Sequence, residues 1–290
     1  MFVDATDGNK FVIGKISPII VRNSVRVGYG KPTLLMIQPR LHPNGNVITL
    51  SAPNMPDINV DLRQLRTSEK KLTASMYRQM QTEGIDCGNE VSTWIGQFLG
   101  VPEGQIRLIT FRPESCHSPR EINKINSEYG VQENGLKSEK LAFADEAPYM
   151  VLSEASLKDL NSRVEKKVDM RNFRPNIVVN GTAAFDENKW TALRIGSSTE
   201  FRAMMPCPRC NFITVDPDTG IPDKQGEPLK TLQKYRRPSP KDVELYGSGP
   251  HFGAYMLLSS ESTSQGTVNL GDPVYMQSSP CKSGHGHSSL

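Results

Sequence analysis

Met205-Pro206-Cys207-Pro208-Arg209-Cys210-Asn211-Phe212-Ile213-Thr214-Val215-Asp216-Pro217-Asp218-Thr219-Gly220 is the stretch on which the fold turns. It contains a Cys-x-x-Cys, and the residues around that spacing weigh three chemistries against each other. A dithiol redox pair opens a helix, because the helix N-terminus lowers the thiol pKa. Here residues 211–215 alternate as a strand does, and 216–220 follow as a turn. A structural zinc takes four ligands, usually from two such pairs, and the sequence holds no second pair. A single soft-metal ligand on a loop between strands fits best, with the zinc half-site and the dithiol as alternatives. A thiolate suits a soft or high-valent metal. The adjacent Arg209 favours the thiolate and can grip an anionic cofactor. These residues do not by themselves name the metal.

Working outward, 290 residues suffice for one large domain or two tightly associated ones. Hydrophobic residues at 37% and charged residues at 22% fit an ordinary soluble globular protein and exclude a disordered chain. The net charge of +3 is spread thinly, and no basic stripe or recognition motif points to nucleic acid. Five cysteines, an odd and sparse set, argue for a reducing compartment over a disulfide scaffold. No apolar run approaches the roughly 18–20 residues of a membrane helix. Met1-Phe2-Val3-Asp4 opens no signal peptide, so use of the Asn180-Gly181-Thr182 acceptor is not expected.

The apolar pattern predicts strands over 10–13, 34–37, 47–52 and 72–80. A helix follows, with Asp86 as N-cap, Val91, Trp94, Ile95, Phe98 and Leu99 as a core stripe, and Gly100 as C-cap. Residues 106–111 read as a strand and 113–140 as a long surface loop. After a strand at 149–152, Ser153 caps a helix whose face is Leu157, Leu160, Val164 and Val168, with Arg163, Lys166 and Lys167 in its last turns. Strands are then expected at 177–179, 193–195, 201–204, 212–215, 255–258 and 274–276. A short helix starts with Pro228 at N1 and turns Leu229 and Leu232 inward. Many short strands suggest a barrel over a parallel sheet with crossovers, giving a mixed α+β, mostly β fold. Residues 278–290 read as a disordered Ser/Gly-rich tail, in which Cys281, His285 and His287 are not expected to hold a specific metal. Gly14-Lys15 and Gly30-Lys31 flank 16–30 with the same dipeptide, so that stretch is expected to be an insertion, with an ordinary extra hairpin as the alternative.

Several motifs in order then carry a resemblance. Asn172-Phe173-Arg174-Pro175-Asn176-Ile177-Val178-Val179 is followed by the cysteine loop and by Thr214-Val215-Asp216-Pro217-Asp218-Thr219-Gly220. Leu245-Tyr246-Gly247, Phe252-Gly253 and Gly271-Asp272-Pro273-Val274 complete the set. Over residues 34–276 the chain resembles the MOSC domain proteins (molybdenum cofactor sulfurase C-terminal domain). Ser153-Glu154-Ala155-Ser156-Leu157 and Leu160-Asn161-Ser162-Arg163 are similar to one branch, the mitochondrial amidoxime-reducing components. The resemblance implies an N-terminal β-barrel-like domain at 1–111, packed on a MOSC β-barrel with a few helices at 112–277. It implies a pyranopterin molybdenum cofactor with Cys210, not Cys207, as the protein's metal ligand and catalytic residue. Arg174, Asn176, Arg209 and Tyr255 match positions that contact the cofactor in the family. An arginine can pair bidentately with the cofactor phosphate, an amide can serve pterin edges as donor and acceptor, and a tyrosine can donate while its ring packs. The bland alternatives are a surface ion pair for Arg174, a turn brace for Asn176, core packing for Tyr255 and a buried small hydrophobe for Cys207.

The implied activity is reduction of N-hydroxylated compounds, amidoxime to amidine, with electrons from cytochrome b5 and its NADH-dependent reductase. The implied location is the mitochondrial outer membrane. The family pattern also places a Lys-Ser pair, an arginine and a membrane anchor ahead of the stretch matching Met1-Phe2-Val3-Asp4, so a truncated start is expected. Two rivals stand beside the reductase: a non-catalytic MOSC module that binds or carries the cofactor, and an inactive fragment. A cofactor sulfurase would need a pyridoxal-phosphate-dependent domain that these residues do not contain. Asp145, Glu146 and His251 are the nearest general-acid candidates, with ordinary surface roles expected.

Overall fold

The structure is a computed structural model that describes residues 10–12, 19–22, 32–75, 81–118, 141–144, 146–259 and 267–278. The fold is mixed, mostly strands with a few helices. In the N-terminal part, β1 (Lys10–Val12) and β2 (Ile19–Arg22) precede a 3-10 turn at Pro32–Met36. The expected strand at 34–37 is this turn, because Pro32 pre-sets the helical φ at its first position. Then β3 (Gln38–Leu41), β4 (Val47–Ser51) and β5 (Ile58–Asp61) form an antiparallel sheet with Pro39 on its edge strand, where a missing N–H is tolerated. The short helix α1 (Leu62–Thr67), which the sequence pattern did not suggest, is capped by the Asp61 carboxylate accepting from Arg63 N.

A second antiparallel sheet has the order β2-β8-β7-β6, from β6 (Lys71–Ser75), β7 (Gln81–Asp86) and β8 (Ile106–Thr110). Strand β2 lies inside the expected insertion and pairs with β8 from Ile19 opposite Ile109 to Arg22 opposite Ile106; the rest of 16–30 lies outside the described residues. Helix α2 (Asn89–Leu99) presses Val91, Trp94 and Ile95 onto Leu50, Val60, Ile106 and Leu108, and so joins the two sheets through one core. Gly100 ends it in the left-handed conformation, φ 61°, as the sequence implies. Asp86 is not its N-cap. The helix begins after Gly88, and the Asp86 carboxylate is buried on β7 between Arg107 at 2.6 Å and Lys70 at 2.8 Å.

The C-terminal part is built on a six-stranded sheet of order β10-β9-β13-β12-β11-β15. Its strands are β9 (Tyr149–Ser153), β10 (Ile177–Val179), β11 (Trp190–Ile195), β12 (Thr199–Pro208), β13 (His251–Leu258) and β15 (Val274–Ser278); β14 (Thr267–Asn269) pairs separately with β1. One parallel crossover is present, against expectation: α3 (Glu154–Arg163) carries the chain from β9 to β10. Both sheet faces are covered, which is why β9 reads as an unbroken apolar run. Met150 and Leu152 join Leu160, Phe173, Leu232 and Phe252 on one face, while Val151 joins Leu193, Phe201 and Met256 on the other. Fully buried side chains of this size each contribute about 1.5–3 kcal/mol. Ser153 caps α3 as expected, its hydroxyl accepting from Ser156 N at 3.1 Å. The helix stops at Arg163, and Lys167 reaches back from beyond it to the carbonyls of Asn161 and Val164. Helix α4 (Leu229–Tyr235) has Pro228 as its N-cap, not N1, and buries Leu229 and Leu232; α5 (Pro240–Tyr246) follows. The stretch expected as a strand at 212–215 is a 3-10 turn, Asn211–Thr214. The tail beyond 278, with Cys281, His285 and His287, lies outside the described residues, as does 119–140 of the expected loop.

Candidate functional site

Strand β12 runs out at Pro208, opposite His251 of β13, and Arg209 N donates to Pro250 O at 2.9 Å. Within the strand, Cys207 points into the core and is 1% exposed. Cys210 lies past the strand's end, in extended conformation at the start of the 3-10 turn, and is exposed. The two thiols of the Cys-x-x-Cys therefore face different surroundings. A helix would have kept them on one side; the strand end separates them.

The NFRPN segment meets this loop through a pair of turns. Met170–Phe173 is a 3-10 turn closed by a capping box between Asp169 and Asn172. The buried Asn172 amide donates to Ile213 O at 3.1 Å and to Val215 O at 3.0 Å, so it joins this turn to the turn after Cys210. Arg171 pairs bidentately with Asp218, at 2.8 and 3.0 Å. That guanidinium holds the Asp218 carboxyl below the usual carboxylate range. Arg174 ends the turn at φ 53°, a left-handed conformation, with its exposed guanidinium 5.6 Å from the centre of the Phe212 ring.

Met150 is the hub of the remaining residues. Its N–H donates to Asn176 Oδ1 at 2.8 Å, and its carbonyl accepts from Asn176 N at 2.8 Å. Asn176 thus braces β9, with no partner for Nδ2 among the described residues. Met150 Sδ lies 3.2 Å from Arg209 Nη2. Across the sheet Met150 pairs with Tyr255, which is half-buried against the cluster that contains Met205 and Leu257. Arg209 is the most committed of the set: Nε donates to Phe252 O at 2.7 Å and Nη1 to Phe173 O at 2.9 Å. Arg209 thus links the segments that carry Cys210, Arg174 and Asn176, while Tyr255 lies on β13 opposite Met150.

A cavity of about 120 Å³ is lined by residues that include Glu187, Asn188, Trp190, Met205, Pro206 and Tyr246. The sequence did not single out Glu187, whose setting in Asp186-Glu187-Asn188 reads as surface. It is 1% exposed; Oε1 accepts from Ser156 Oγ at 2.6 Å, and Oε2 is buried with no partner among the described residues. The sequence presents Asn172 only as part of its motif and Met150 only as a strand residue; the role of each rests on tertiary contacts. Two expected surface residues are buried instead. His251 opens β13 with Nε2 unpartnered among the described residues, and burial pushes its imidazole below its ordinary pKa. Glu146 is also buried, and Asp145 lies outside the described residues. No helix among the described residues is long and apolar enough to cross a membrane.

The chain matches the MOSC N-terminal beta barrel domain over residues 21–102 and the MOSC domain over 138–275. It is 38% identical over 246 residues to mitochondrial amidoxime-reducing component 1 of Homo sapiens, covering 85% of this chain and 67% of that one. It is 38% identical to component 2 of Bos taurus, over 86% and 68% of the two chains, and 32% identical to component 1 of Danio rerio, over 86% and 69%. It therefore spans about two thirds of these relatives' length. A solution structure from Bordetella bronchiseptica aligns with 36% of this chain and 77% of that one, at 16% identity and a TM-score of 0.29, too slight a likeness to bear on fold or function. The two matched domains, in order and with these relatives, establish that the chain belongs to the MOSC domain family, in the branch of the mitochondrial amidoxime-reducing components.

Proposed function

We propose that this chain binds a molybdenum pyranopterin cofactor through Cys210 and reduces N-hydroxylated substrates, amidoximes to amidines. The observation that carries the proposal is an exposed cysteine whose chain neighbour, Arg209, is bonded to the segments that carry Arg174 and Asn176. The donor set fits such a group: one soft thiolate, exposed guanidinium for a phosphate, and an amide with a remaining donor. When bound, the cofactor supplies the two-electron chemistry that removes the substrate oxygen as water.

The chain's own residues hold and orient it. Cys210 offers its thiolate from a turn whose carbonyls are fixed by Asn172. Arg174 presents charge from the neighbouring turn, Asn176 Nδ2 offers a donor beside β9, and Tyr255 adds a ring and a hydroxyl from β13. The proposed electron source is cytochrome b5 with its NADH-dependent reductase, and the proposed location is mitochondrial, by analogy with the named relatives. Residues 1–111 are proposed as the N-terminal domain and 112–277 as the MOSC domain. The test is Cys210→Ala. Molybdenum per chain and benzamidoxime reduction with cytochrome b5 and its reductase should both be lost, while the thermal unfolding midpoint stays put because the side chain is exposed. Turnover retained in this variant refutes the assignment. A wild-type chain that holds molybdenum without turnover marks a carrier.

A further inference from the structure

We infer that Arg209 serves this site as a positioning residue, a three-way tie that sets Cys210, Arg174 and Asn176 relative to one another, and not chiefly as a charge laid on the cofactor. The inference rests on the cofactor reading above for its purpose, but on the protein's own hydrogen bonds for its geometry. Arg209 directly precedes Cys210. Its Nη1 donates to the carbonyl of Phe173, the residue directly before Arg174. Its Nη2 lies against Met150 Sδ, and Met150 is bonded through both N–H and carbonyl to Asn176. Its Nε donates to Phe252 O, at the start of β13. The guanidinium also lies over the Phe173 ring, at 5.6 Å from its centre. One planar fork thus spans three chain segments.

The surrounding backbone is shaped to admit it. Gly253 has φ +85°, and a Cβ there would sit 3.2 Å from Arg209 Nη2, 2.9 Å from Met150 Sδ and 2.8 Å from Val151 O. A Cβ on Gly249 would sit 2.8 Å from Arg209 O and 3.2 Å from Arg209 N. Gly249 is therefore required by the backbone of residue 209, and Gly253 by Val151 and Met150, which lie beside the guanidinium. A lysine keeps the charge, but its compact ammonium cannot reach acceptors in three directions.

That difference makes the test. Arg209→Lys and Arg209→Met are compared with the wild type in two arms. In the cofactor-free protein, amide hydrogen exchange is read at Met150, Arg174, Asn176 and Arg209 or its replacement, with Leu193 and Phe201 of the paired strands β11 and β12 as controls. Exchange at the four site amides should rise roughly tenfold or more in both variants, with the controls unchanged. Unchanged site amides, or an equal rise at the controls, overturns the tie whether or not the chain ever binds molybdenum. In protein expressed with cofactor supply, molybdenum per chain should fall about tenfold or more in both variants. Near-complete retention in Arg209→Lys, with loss only in Arg209→Met, overturns the inference in favour of a charge role. If the wild type takes up no molybdenum, the functional reading fails, and the exchange arm still decides the role of Arg209.

Discussion

Cys207 and Cys210 show how far three residues can separate identical side chains. One is in the core at a strand position, and the other caps a turn at the surface. Asn176 shows the opposite economy, since one residue bonds both the N–H and the carbonyl of Met150 on β9. His251 is a residue whose position has a measurable consequence. Burial lowers its pKa below 6.5; the nearby Arg236 adds to that, while Asp242 opposes it. The folded state therefore resists a proton that the unfolded state accepts, so stability is full above the unfolded value and falls as pH drops below it. Thermal unfolding midpoints measured against pH should decline below about pH 6.5 in the wild type, and that decline should be shallower in His251→Leu. Parallel curves for the two proteins would show that His251 does not titrate with folding.

Two single-turn elements, Met170–Phe173 and Asn211–Thr214, do at the site what longer helices do elsewhere. Neither would hold its shape alone, because a lone turn fixes more dihedrals than it gains hydrogen bonds. Asn172 supplies the missing bonds. It donates to two carbonyls of the second turn and accepts from Asp169 N in the first. Asn172→Ala should cost about 1–3 kcal/mol in urea unfolding by leaving buried polar groups unpaired. Asn172→Asp should be at least as damaging, because it turns an acceptor toward two carbonyls. Full stability in Asn172→Asp would mean that the amide donors are dispensable. The helix α2 and its stripe were legible from spacing alone, and so was the Ser153 cap. The turn at 211–214 was not, since Ile213 and Val215 alternate as a strand would, while the Asn172 amide donates to their carbonyls from a distant segment.

At the scale of the whole molecule, one contact between the two parts, besides the β1–β14 pair, is made where the loop after the cysteine reaches the turn at Pro32–Met36. Gly220, at φ +67°, lies so near Thr33 that an added Cβ would sit 2.8 Å from its Cα. Gly220→Ala should destabilise the protein by about 1–3 kcal/mol, through left-handed strain and a clash with backbone that cannot rotate away. A calorimetric scan is the check: the variant should unfold several degrees below the wild type, and a midpoint equal to wild type would mean that the contact yields freely.

The linear order of residues was enough for the class of fold, for the helices with a clear apolar stripe, and for the family, because each is written in local periodicity or in a string of motifs. It also singled out Cys210, Arg174, Asn176, Arg209 and Tyr255 as candidates. Their division of labour was decided in three dimensions. Whether an arginine meets a ligand or the protein's own acceptors depends on carbonyls contributed by Phe173 and Phe252, far from it in the chain. Whether Glu187 or His251 is buried depends on what other elements lay over them. Hydrogen bonds and burial between distant segments leave no periodic trace in the sequence, and it is those contacts that set the Cys210 turn in its place.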